Sequence, residues 1–98
     1  MPLALRPEVF DADFYLKTHP DLGNAGLHTK QQATKHWCSY GIKEGRQAIS
    51  SFHSKQYLEN YSDLQKAFGD DYGAAIEHYI NYGIKEGRVG ITEGGSSN

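Results

Sequence analysis

Apolar positions recur along this chain at helical spacing, and they do so twice. Ala33, His36, Trp37 and Tyr40 fall on one helical face, and Ala75, His78, Tyr79 and Tyr82 reproduce it 42 positions later. No segment alternates apolar and polar residues between hairpin turns, so the pattern predicts helices and no strands. The clearest helix is expected from about Thr29 to Tyr40 and again from about Asp71 to Tyr82, closed by Gly41 and Gly83 in the left-handed conformation. Two shorter helices precede it in each copy. The first is capped by Asp11, or by Ser54 in the second copy, and ends near Thr18 or Asn60. The next opens at Pro20-Asp21 or Ser62-Asp63 and ends near Gly26 or Gly69; proline loses no bond in a first turn, and aspartate suits the positive helix end.

The duplication extends beyond the apolar face. Ser39-Tyr40-Gly41-Ile42-Lys43-Glu44-Gly45-Arg46 returns almost unchanged as Asn81-Tyr82-Gly83-Ile84-Lys85-Glu86-Gly87-Arg88, and Phe10, Tyr15 and Asp21 pair with Phe52, Tyr57 and Asp63 without a break in register. A period of this length points to stacked or pseudo-symmetric units, so a site made of repeated residues should exist twice. The expected fold is all-α, with about six helices in two pseudo-symmetric three-helix repeats packed into one small domain. Residues 1–9 form a lead-in, 10–51 and 52–92 the two repeats, and 93–98 a flexible tail; neither end is expected to carry function. One stripe differs, Thr34 and Cys38 standing where the second copy has Ile76 and Ile80. It is expected at the contact between repeats, which cannot be symmetric.

Composition narrows the functional classes. With 98 residues, a repeat alone is too small for a core, and the single Cys38 cannot form an intramolecular disulfide, so packing must supply stability. Its alignment with Ile80 assigns Cys38 a packed apolar role. A formal net charge of −2, with both signs interspersed, argues against nucleic acid as a partner. No apolar run approaches the ~20 residues that span a bilayer. Seven Tyr, four Phe and one Trp supply an aromatic core and, where exposed, recognition surfaces.

The chemistry on offer is that of binding. Glu44 with Arg46, and Glu86 with Arg88, lie just beyond a helix end beside Trp37 and Tyr40 or Tyr79 and Tyr82. A guanidinium fork, a carboxylate that accepts hydroxyl hydrogens and a flat aromatic face together suit a sugar ring. The same arginines could instead pair with Asp21 and Asp63 or bond carbonyls at the helix end. His36 and His78 have no second metal ligand at helical spacing, and the expectation is one hydrogen bond inside each repeat. Together with Asp21 and Asp63 they are the second choice for ligand contact. Asp11, Asp13, Asp70 and Asp71 lack calcium-loop spacing and are expected to be helix caps. No nucleophile set, paired cysteines or phosphate loop suggests an enzyme, a metal or a cofactor.

Phe10, Tyr15-Leu16, Pro20-Asp21-Leu22, Ala25, His36, Tyr40-Gly41 and Glu44-Gly45-Arg46 form a pattern that resembles short helical repeats found in tandem in bacterial cell-surface and secreted proteins and beside glycosyltransferase domains. The resemblance covers Phe10 to Ile91. The second copy departs from it at Tyr61-Ser62, and the first carries Trp37 where Tyr is usual. It implies a helical interaction module in a carbohydrate-rich, secreted or cell-surface setting. The expected function is non-enzymatic, lectin-like binding of a glycan or cell-surface polysaccharide at two sites; the alternative is a protein-interaction or self-association scaffold, such as a homo-oligomer.

Overall fold

Local sequence sets where the helices begin. Asp11 lies in extended conformation, and its carboxylate accepts the backbone N–H groups of Asp13 and Phe14 at 3.0 and 3.3 Å, opening α1 (Ala12–Thr18). Pro20 occupies the first position of α2 (Pro20–Asn24). Thr29 and Gln32 satisfy each other's backbone N–H groups, each at 3.1 Å, in a capping box that opens α3 (Lys30–His36). After the short α4 (Ile42–Glu44) come α5 (Ser54–Asn60), α6 (Ser62–Phe68) and α7 (Tyr72–His78), the last capped by Asp71 through the Ala74 N–H.

The computed structural model describes residues 3–91. Among them six helices have five residues or more and there is no strand, only an isolated bridge between Ile49 and Phe52, so the protein is all-α as expected. The lead-in carries a 3-10 turn at Leu3–Leu5. The tail expected at 93–98 lies outside the described residues.

Three local expectations need correction. Gly41 and Gly83 do not end a helix in the left-handed region. Gly41 has φ −58° and ψ −42°, and α3 runs on through a π-turn, Trp37–Gly41, into α4, just as α7 runs into a π-turn at Tyr79–Gly83. The left-handed residues are Gly45 and Gly87, at φ 72° and 75°. Gly41 and Gly83 are glycine for another reason: a Cβ would overlap the hydroxyl of Tyr15 or Tyr57. Ser54 is not a cap; His53 takes that position, and Ser54 is buried inside α5. Cys38 is exposed, in the π-turn Trp37–Gly41, and not packed as Ile80 partly is.

One cluster of buried residues runs through both sequence halves and is dominated by rings. In the first, Trp37 stacks on Phe10 at 5.7 Å and meets Tyr15 edge-on at 5.5 Å. In the second, Tyr79 stacks on Phe52 at 4.6 Å and meets Tyr57 edge-on at 5.2 Å. Between the halves, α7 receives α4 and the lead-in turn Leu3–Leu5. Ile76 is buried and Ile80 half-buried, whereas Thr34 is half-buried and Cys38 open.

Candidate functional site

The Glu-Gly-Arg turns are internally satisfied. Arg46 donates from both terminal nitrogens to the Asp21 carboxylate at 3.1 and 2.9 Å and from Nε to Glu44 at 2.6 Å. Arg88 repeats this with Asp63 at 3.3 and 3.1 Å and with Glu86 at 2.7 Å. The guanidinium hydrogen bonds hold Asp21 and Asp63 below the usual carboxylate range, and the same bonds raise both arginines. Each fork is therefore spent on tying the helix end to the start of α2 or α6.

The aromatic residues expected beside these turns divide. Trp37 is 1% exposed, with its indole N–H donating to the Ala4 carbonyl at 2.8 Å, so it is a core residue and presents no face to a ligand. Tyr79 is half-buried against Phe52, and burial raises its phenol. Tyr40 and Tyr82, by contrast, are each 59% exposed. Thus at neither of the two expected sites do all four residues face a ligand: Trp37 is buried and Tyr79 half-buried, and both arginines are engaged by carboxylates.

A different grouping does converge, and it occurs twice. The hydroxyl of Tyr15 meets Nδ1 of His36 at 2.7 Å, and that of Tyr57 meets Nδ1 of His78 at 2.9 Å. Burial pushes the Tyr15 phenol up to about 12 and raises Tyr57 as well, so both keep their proton. Each pair shares one hydrogen bond whose direction goes with the imidazole tautomer: a donating phenol pairs with a neutral ring protonated on Nε2, an accepting phenol with a ring protonated on Nδ1. The expected single hydrogen bond inside each repeat is present. The exposed tyrosine ring lies beside the imidazole, with centroids 5.4 Å apart for His36 and Tyr40 and 5.5 Å for His78 and Tyr82.

Each His–Tyr pair borders a pocket. The first, about 430 Å³, is lined by Leu27, Gln32, Lys35, His36, Ser39 and Tyr40. The second, about 260 Å³, is lined by Phe68, Ala74, Glu77, His78, Asn81 and Tyr82. Five of the six positions correspond at the 42-residue offset. The sixth lining residue differs: Leu27 in the first pocket, and in the second Phe68, whose ring lies 6.0 Å from that of His78. Sequence reading placed His36 with Tyr40 and His78 with Tyr82 on one face but missed the opposite wall. Leu27 lies in the connection before α3, Phe68 is the last residue of α6, and the two are not aligned at the 42-residue offset, so periodicity gives no signal for them.

Among the described residues no group of three or more His, Cys, Asp and Glu side chains is placed to hold a metal ion, and no helix is long and apolar enough to cross a membrane. Comparison with protein-family models, with curated proteins and with solved structures finds no match to this chain.

Proposed function

We propose that this chain is a non-enzymatic, bivalent carbohydrate-binding module made of two pseudo-symmetric three-helix units, one site per unit, at His36–Tyr40 and His78–Tyr82. The observation that carries the reading is the duplicated pocket with its equally exposed tyrosine. A tyrosine face covers the C–H surface of a pyranose, the imidazole Nε2 offers a hydrogen-bonding partner to a sugar hydroxyl, and Ser39 or Asn81 offers a hydroxyl or amide partner at the rim. The pocket volumes suit one or two sugar rings. Two such sites on one chain favour a multivalent glycan or cell-surface polysaccharide, where avidity exceeds single-site affinity about a hundredfold when the spacing matches. A secreted or cell-surface setting agrees with such a ligand. In this reading Glu44, Arg46, Glu86 and Arg88 support the scaffold and do not touch the sugar.

Glycan-array binding by the purified chain tests it directly. Tyr40→Ala combined with Tyr82→Ala should abolish retention while leaving the circular dichroism spectrum intact. Retention that survives the double variant would overturn the assignment.

A second reading is favoured by a separate observation. Ile84 and Val89, in and just after the second Glu-Gly-Arg turn, are 42% and 48% exposed, apolar side chains available for self-association. A solution mass that rises with concentration, and returns to monomer with Ile84→Asp, would support it.

A further inference from the structure

Resting on the carbohydrate reading, we infer that the two pockets select different sugars: the first an acidic one, recognised through its carboxylate by Lys35, and the second a neutral or amine-bearing one, selected by Glu77. Lys35 and Glu77 occupy the same position 42 residues apart, one helical step before the histidine of each pocket. They invert the charge at otherwise similar rims. Among the residues lining each pocket, Lys35 is the only Lys, Arg, Asp or Glu in the first and Glu77 the only one in the second. Both are exposed, and no ion pair among the described residues engages either. Their charges are therefore available to a ligand.

The walls change in the same direction. The first pocket is wider, about 430 Å³ against about 260 Å³, with Leu27 in place of the bulkier Phe68. A ring bearing an extra carboxylate needs that room and meets the Lys35 ammonium, a compact point charge on a flexible stem. In the second pocket the same carboxylate would face Glu77, and like charges repel. Exposed ion pairs contribute little, so the discrimination should be about three- to fivefold per site, weakening as salt rises.

The experiment is a site-resolved NMR titration of the whole chain, following the ring signals of His36 and Tyr40 apart from those of His78 and Tyr82. The probes are a glucuronic acid oligosaccharide, its carboxyl-reduced counterpart and a glucosamine oligosaccharide. The first pair should respond to the uronate at about three- to fivefold lower concentration than to the reduced sugar, and the second should prefer glucosamine over uronate. Lys35→Glu and Glu77→Lys should each reverse the preference of their own pocket only. If both pockets bind all three probes equally, the charge inference fails while carbohydrate binding stands. If no probe shifts either pair, the carbohydrate reading fails and the inference with it.

Discussion

The chain contains the turn Ile-Lys-Glu-Gly-Arg twice, at 42–46 and 84–88, and the two copies fold alike but live differently. Both end in a left-handed glycine and tie their arginine to an aspartate 25 residues upstream. The first is then covered: Gly45 is buried, a Cβ on it would come within 2.5 Å of Lys55 and 2.9 Å of Tyr72, and its carbonyl meets His53 Nε2 at 3.1 Å. The second is open. Among the described residues nothing lies within 4 Å of the same position on Gly87, and Ile84 is exposed where Ile42 is half-buried. Conformation thus follows local sequence, whereas burial of the first turn comes from α5 and α7, which bring Lys55 and Tyr72 over it. Features shared by the halves should respond equally to mutation, and features of the seam should not.

The largest effects should be the equal ones. Gly41→Ala and Gly83→Ala each drive a methyl into a buried tyrosine hydroxyl that is fixed by a histidine. Neither ring has room to retreat, so each change should cost about 3 kcal/mol, the upper part of the overpacking range. Denaturant unfolding would compare them. A difference of more than about 1 kcal/mol between the two would break the equivalence of the halves.

The seam should separate the next pair. Gly87→Ala carries only the strain of a left-handed alanine, about 1 kcal/mol. Gly45→Ala adds displacement of Lys55 and Tyr72, and about 2 to 3 kcal/mol is expected in all. Ile42→Asp and Ile84→Asp extend the test to side chains. The first places a carboxylate beside Gly73 of α7 and should cost about 2 kcal/mol, whereas the second, on an exposed site, should stay within about 0.5 kcal/mol. Melting temperatures would register the difference, since 1 kcal/mol moves a domain of this size by about 4 to 8 °C. Equal losses at 42 and 84 would mean that the two turns are covered alike.

Much of this was legible in the sequence, and the failures share a cause. The 3.6-residue pattern located the helices, and of the four aspartates expected to cap, Asp11 and Asp71 do so, whereas Asp13 lies inside the first turn of α1 and Asp70 precedes the cap of α7. The pairing of Arg46 with Asp21 was visible as one of two uses for that arginine. What the pattern could not reveal was the reason for a glycine. Gly41 and Gly45 both follow an apolar helical face, and only the path of Tyr15 distinguishes a close approach from a left-handed stop. Trp37 misled in a similar way: an aromatic at the edge of an amphipathic face reads as a platform until the lead-in, with no periodicity of its own, covers it. Tyr40, three residues on, is the exposed ring instead.

The smallest expected effect concerns the seam alone. At position 53 the second half has histidine where the first has Asp11, and only the histidine touches the other half, through Gly45. Burial lowers its pKa below the usual 6.5, a shift only partly offset by the hydrogen bond to the Gly45 carbonyl. Its Nδ1 is buried without a partner, so a proton added there has no acceptor. The sign follows from linkage: the unfolded chain takes up the proton first as pH falls through about 6.5, so folding stability is full above that value and declines below it. Because the ring is only half-buried, the decline should be under about 1 kcal/mol by pH 5. The carboxylates Asp21 and Asp63, whose pKa values are lowered by their arginines, act at lower pH; their stabilisation is present above the unfolded value and is lost as pH falls toward and through the depressed one. Thermal melts between pH 7.5 and 5 should therefore show a slope that His53→Gln removes and that Asp21→Asn leaves in place. A slope unchanged by His53→Gln would place the mild-acid sensitivity outside the seam.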